Sequence, residues 1–143
     1  MTKERSVKRI FIDTSVFIRL LTNDDTLKAA DCRSLFELIE EGKLRPYVSN
    51  IVVLEIIYVL TRRYGFARRS VLAAIHQILE MRNLTLIEKT ATRHALQNCH
   101  KLNVKYADCL IASQVPHGVS IVTYDSDFKG FPGLHPLSPT DVI

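Results

Sequence analysis

The chain has 143 residues, 47% hydrophobic and 24% charged, with 19 Lys and Arg against 15 Asp and Glu for a formal charge of +4. That composition suits a single domain over residues 1–143 with a real core and excludes a disordered chain, while five Gly and five Pro exclude a collagen-like polymer. The longest apolar run, Ile51 to Leu60, holds Glu55 and falls short of the ~20 residues of a membrane span; three scattered cysteines (Cys32, Cys99, Cys109) make neither a disulfide framework nor a zinc site.

In chain order, Lys8 to Ile12 is a β-branched and aromatic run that predicts a first strand ending at Asp13. A basic N-terminus before it has the outline of a secretory signal. Asp13 and Arg19 interrupt the apolar stretch, however, and no small-residue cleavage site follows, so a cytoplasmic protein is expected. Asp24 or Asp25 caps a helix from about Thr26 to Glu41, with Leu27, Leu35, Leu38 and Ile39 on one face and Gly42 as its stop. A short strand at 47–49 leads into a helix from Asn50 to about Tyr64, closed by Gly65. A helix over about 67–81 shows Val71, Leu72, Ile75, Ile78 and Leu79 at helical spacing. A strand at 84–87, helices over about 90–102 and 106–115, and a strand at 119–123 complete the pattern. The tail from Gly130 reads as irregular, with a short edge strand near Leu134. Short apolar strands alternating with helices predict an α/β fold, a parallel sheet buried between helix layers. Ligands in such folds gather outside the carboxyl ends of the strands. Neither a dinucleotide-binding glycine loop nor a P-loop is present there.

Four acids stand out against that frame. Asp13 and Asp125 each directly follow a predicted strand, while Glu55 and Asp108 lie inside helices that are apolar nearly all round. All four are expected at the carboxyl edge of the sheet. Two carboxylates ~5 Å apart at an effective dielectric of ~20 repel by roughly 3 kcal/mol, so the cluster needs protons or a cation. An all-oxygen set suits Mg²⁺ or Mn²⁺, and the chemistry implied is metal-assisted phosphodiester hydrolysis. Each acid also has a purely structural alternative. Asp13 could cap the following helix, Asp125 could open an Asp-x-Asp turn, and Glu55 and Asp108 could pair with buried arginines.

The stretches FIDTSVFIRLL (11–21), SNIVVLEIIYVL (49–60), KYADCLIAS (105–113) and VTYDSDF (122–128) resemble the PIN-domain nucleases, most closely the VapC-type toxins of toxin–antitoxin pairs. The resemblance implies a Rossmann-like three-layer α/β/α sandwich with a central parallel sheet, and a Mg²⁺- or Mn²⁺-dependent endoribonuclease. It assigns the catalytic and metal-binding acids to Asp13, Glu55, Asp108 and Asp125. It also implies that Thr14 orients the Asp13 carboxylate or a metal-bound water, and that Asp127 is a secondary acidic position. RNA as substrate, a small antitoxin protein as partner and a homodimer follow from the same resemblance.

The run from Thr61 to Arg69 carries Arg62, Arg63, Arg68 and Arg69 with two aromatics, a candidate RNA or partner surface. Arg62 lies seven residues beyond Glu55, roughly 10 Å along a helix, which places the cluster away from the acids. Arg19 is a candidate phosphate contact, or is simply paired or solvated. The five histidines lack metal-ligand spacing and read as surface or packing residues. Two other readings compete with the nuclease. A haloacid-dehalogenase-like phosphatase needs a second acid two residues after Asp13, where this chain has Ser15. A non-catalytic RNA-binding module would use the acids only for the fold. Setting the four acids aside leaves 11 against 19 Lys and Arg, a basic body of +8 around an acidic pocket.

Overall fold

The computed structural model describes residues 7–143, so the basic N-terminal residues 1–6 lie outside it. Strand β1 spans Lys8–Ile12, and Ile10, Phe11 and Ile12 are all fully buried. Successive strand residues face opposite sides of a sheet, so helices must cover both faces, which makes the architecture three-layered α/β. Strands β2 (Leu44–Ser49), β3 (Thr85–Ile87), β4 (Ser120–Val122) and β5 (Pro136–Leu137) join β1 in one parallel sheet of order β3-β2-β1-β4-β5.

Parallel neighbours need crossovers, and helix pairs supply them. Helices α1 (Thr14–Leu21) and α2 (Thr26–Glu40) connect β1 to β2, and α3 (Asn50–Tyr58) and α4 (Arg68–Leu79) connect β2 to β3. Helices α5 (Thr92–Leu102) and α6 (Tyr106–Gln114) then return the chain to β4. The chain thus builds outward from β1 on one side before crossing back to its other side. The crevice at the carboxyl ends of β1 and β4 is the topological switch point, the place where such sheets bind ligands.

Several boundaries differ from the sequence reading. Strand β2 starts at Leu44 rather than Tyr47. Pro46 lies opposite Ile10, before β3 begins pairing at Tyr47, so its missing N–H falls where the strand has only one neighbour. Asp25 is the residue that caps α2, accepting from the Lys28 amide at 3.0 Å. The buried stripe of α2 is Ala29, Cys32, Leu35 and Ile39, while Leu27, expected on that stripe, is 80% exposed in the first turn. Helix α3 is buried along one stripe only, Val52 and Ile56, and Leu54 and Tyr58 face outward. The helix expected to reach Tyr64 is α-helical only to Tyr58, and Val59–Arg63 is a π-helical turn. The tail is not irregular. A 3₁₀ helix at Ser126–Gly130 precedes β5, which falls past Leu134, and helix α7 (Pro139–Val142) follows, boxed at its start by Ser138 and Asp141. No helix among the described residues is long and apolar enough to cross a membrane.

Candidate active site

The switch-point crevice is closed by hydroxyls. Asp13 follows β1 at the N-cap position of α1, yet its side chain makes no capping bond there. Its Oδ2 instead accepts from Thr123 Oγ1 at 2.7 Å and from Ser15 Oγ at 2.9 Å. The same hydroxyls accept in turn from backbone: Thr123 Oγ1 from the Asp125 amide at 2.9 Å and Ser15 Oγ from the Tyr124 amide at 3.0 Å. This web ties the ends of β1 and β4 around a carboxylate that is only 3% exposed. Burial raises the Asp13 pKa, and the Thr123 and Ser15 hydroxyls oppose that rise.

Glu55 arrives from α3. Ser49 caps that helix by accepting from the Val52 amide at 3.2 Å, which fixes its direction away from β2. Glu55 lies in the second turn, half-buried, and its Oε1 accepts from Thr14 Oγ1 at 3.0 Å. The Thr14 hydroxyl, expected on Asp13, is therefore on Glu55. Thr14 opens α1, which packs against α3, and the hydroxyl reaches across that contact. Burial raises the Glu55 pKa most, Thr14 opposes it, and the neighbouring Asp13 and Asp125 add to it.

Asp108 sits in the first turn of α6 and is 4% exposed. Its Oδ2 is buried with no hydrogen-bond partner among the described residues. Burial, then the Asp125 and Glu55 carboxylates, push its pKa up to about 7, with Lys105 opposing. Neither Asp108 nor Glu55 is in an ion pair with an arginine among the described residues. Asp125 does two things. Its Oδ1 accepts from the Asp127 amide at 2.9 Å, opening the Asp-x-Asp turn, and it also lines the crevice.

Asp13, Glu55, Asp108 and Asp125 thus share one open cleft of about 650 Å³. The acids are not equivalent. Asp108, Asp125 and Asp127 offer carboxylate oxygens within 4.8 Å of one another, and Asp13 and Glu55 stand outside that triad. Asp108 is buried, Asp125 half-buried and Asp127 exposed, and carboxylates this close repel unless protons, a cation or solvent intervene. Asp108, with a buried oxygen that has no donor among the described residues, fits a hydrated divalent cation bound through oxygen together with Asp125 and Asp127. All five histidines are exposed, and no histidine or cysteine lines the cleft.

Four cations line the same cleft: Arg19, Lys28, Arg63 and Lys105. Arg19 is paired, its Nη1 lying 3.1 Å from Asp24 Oδ1. Arg62, Arg68 and Arg69 are exposed and stand outside the cleft lining, as their distance along the chain predicts. Arg63 departs from that expectation and reaches the cleft. Sequence reasoning also passed over Ser15 and Thr123 as partners of Asp13, and Lys28, Lys105 and Tyr124 in the wall. Lys105 had a signal, since it stands three residues before Asp108 and so on the same end of a helix. The hydroxyls had none beyond their proximity to Asp13 and Asp125.

Residues 10–134 match the family description PIN domain. No curated protein matches the chain in sequence. Among solved structures, VapBC2 of Rickettsia felis bound to a promoter DNA fragment superposes with a TM-score of 0.65 at 17% identity, covering 91% of this chain and 98% of that one. VapC20 of Mycobacterium tuberculosis, a Sarcin-Ricin loop cleaving toxin, gives 0.64 at 23% identity, covering 89% and 99%. VapBC-1 of nontypeable Haemophilus influenzae gives 0.66 at 18%, covering 92% and 98%. At these identities the likeness is one of fold.

Proposed function

The chain belongs to the PIN domain family, and from that premise we propose that it is a Mg²⁺- or Mn²⁺-dependent endoribonuclease, the cytoplasmic toxin of a VapBC-type toxin–antitoxin pair. The observation that carries this reading is Asp108: a residue 4% exposed, its Oδ2 without a donor among the described residues, in the lining of a cleft shared with Asp13, Glu55 and Asp125. A structural aspartate at that depth would find a hydrogen-bond donor or a basic partner. Among the described residues Asp108 Oδ2 has neither, while Asp108, Asp125 and Asp127 offer oxygens within 4.8 Å of one another.

In this reading Asp108 and Asp125 hold the cation, Asp127 contributes through the turn it shares with Asp125, and Asp13 and Glu55 complete the acidic wall. A divalent ion bound there supplies a water of lowered pKa and neutralises a phosphodiester oxygen. The chain's own residues do the positioning. Ser15 and Thr123 hold Asp13 Oδ2 in one orientation, so it meets substrate without reorganising. Thr14 holds Glu55 through Oε1 in the cleft wall, where the Glu55 carboxylate is the group that would accept a proton from the attacking water. Lys105 tempers the negative charge beside Glu55 and Asp108.

A small antitoxin protein is the proposed partner. Support comes from the VapBC assemblies whose toxins share this fold and from the openness of the cleft, which a peptide segment can enter. A homodimer is proposed as well, supported by Leu54 and Tyr58, which stand 63% and 58% exposed on α3. The test of the enzymatic reading is direct. Purified protein is expected to cut single-stranded RNA internally with Mg²⁺ or Mn²⁺ and to stop in EDTA. RNA left intact under every divalent metal, or cut equally well in EDTA, sinks it.

A further inference from the structure

Among the arginines between residues 62 and 69, only Arg63 lines the acidic cleft. Helix geometry explains the choice. At 3.6 residues per turn, a residue seven places beyond Glu55 completes about two turns and stacks above it, so a regular α-helix would present Arg62 on that side. The chain does not continue as an α-helix. From Val59 to Arg63 it widens into a π-helical turn, closed by the Tyr64 amide donating to the Val59 carbonyl at 3.2 Å. The Phe66 amide reaches back further still, to the Leu60 carbonyl at 2.9 Å. Thr61 holds the widened turn by donating its hydroxyl to the Ile57 carbonyl at 2.6 Å. A π-turn takes up one extra residue, which retards the helical phase and brings Arg63, not Arg62, onto the side of Glu55 and Val59. Tyr64 then anchors the end of the turn, its hydroxyl donating to Asp24 Oδ2 at 2.7 Å.

Two other cations of the cleft are already engaged. Arg19 is paired with Asp24, and Lys28 lies over the Tyr124 ring at 4.8 Å and 4.0 Å from Asp25. Lys105, like Arg63, makes no ion pair among the described residues, and its charge opposes the rise in the Glu55 and Asp108 pKa values. Arg63 makes no ion pair with any of the described residues, and it is exposed. A π-turn inserted where a helix passes an acidic cleft, delivering an unpaired guanidinium to its wall, is a device for an anionic ligand.

We propose that Arg63, set on the cleft wall by the π-turn, binds the phosphate of the nucleotide next to the scissile bond, and that Arg62 does not. This rests on the nuclease reading above and names the residue that grips the RNA backbone within it. The contact is electrostatic and directed at phosphate, so it favours RNA of any sequence and weakens with salt.

The test compares Arg63→Gln, Arg62→Gln and Arg63→Lys in the full chain. Cleavage of a labelled single-stranded oligoribonucleotide gives KM and kcat, and anisotropy in an Asp108→Asn background gives affinity. Arg63→Gln is expected to weaken binding roughly tenfold and to reduce the slope of log affinity against log salt by about 0.7. Arg62→Gln is expected to stay within about twofold, as exposed single charges do. Arg63→Lys restores part of the affinity, because the charge returns without the planar fork. Equal effects of Arg62→Gln and Arg63→Gln overturn the assignment while leaving the nuclease intact. The same holds if Arg63→Gln weakens only antitoxin binding, which makes the residue a protein contact. A wild-type protein that neither binds nor cuts RNA overturns the nuclease reading, and this assignment with it.

Discussion

Thr14 donates its hydroxyl to Glu55 at 3.0 Å, joining the first residue of α1 to the second turn of α3 across the mouth of the acidic cleft. The bond holds the Glu55 side chain in place and opposes the rise in pKa that burial imposes on it. Thr14→Val keeps the shape and removes the donor. Cleavage is expected to fall about 10–100-fold, the usual effect of losing a residue that orients a reacting group. Stability should drop by only about 1 kcal/mol. Single-turnover kinetics beside a thermal melt separate the two, and an unchanged rate would show that Glu55 needs no such orientation.

Thr123 is the more structural partner. Its Oγ1 donates to Asp13 and accepts from the Asp125 amide, so two site acids depend on one hydroxyl. Thr123→Val leaves Asp13 Oδ2 with Ser15 alone and orphans a backbone N–H. The expected cost is about 1–3 kcal/mol, as for other buried groups left unpaired. Urea unfolding measures it. A loss no larger than that of an exposed substitution would contradict this hydroxyl web.

The acids also set a pH dependence of opposite sign to the usual carboxylate. Asp108 holds its proton to about 7 in the folded chain, against an ordinary value of 3.8. Between those values the folded state binds the proton and the unfolded chain does not. The stabilisation is therefore fully present below about pH 4 and lost as pH rises through about 7. Asp13 and Glu55, also raised, act in the same direction. Metal-free protein is expected to melt at progressively lower temperature from pH 4 to 8. Mg²⁺ or Mn²⁺ should restore the midpoint above pH 7, because bound cation takes the place of the proton. Asp108→Asn should flatten the metal-free profile. A metal-free melting temperature that rises across this range contradicts the assignment.

Much of this was readable from residues alone, for identifiable reasons. Asp13 and Asp125 end apolar strands, and a charge at the end of a buried run has few places to go except the sheet edge. Asp108 stands in a helix too apolar to solvate it. Those signals are local, and the parallel order of the strands brought them together. The partners of the acids were not readable in the same way. Ser15, Thr123 and Thr14 carry hydroxyls that serve equally in caps, turns or solvent, and only the packing of α1 on α3 sends Thr14 to Glu55. Arg63 was hidden for a different reason. Sequence spacing assumes a constant helical period, and the π-turn at Val59–Arg63 breaks it. Leu27 and Leu54 misled in turn, since helical periodicity marks an apolar residue without saying whether anything in the chain covers it.

Titration of Mn²⁺ into the wild-type chain and into Asp108→Asn, with RNA cleavage followed in the same samples, tests the metal site most directly. The wild type is expected to bind Mn²⁺ and to cleave in proportion to its occupancy, while Asp108→Asn, still folded, loses both binding and cleavage. Cleavage by Asp108→Asn at the wild-type rate, or wild-type cleavage with no Mn²⁺ bound, would show that the buried Asp108 carboxylate in the cleft lining does not hold the catalytic ion.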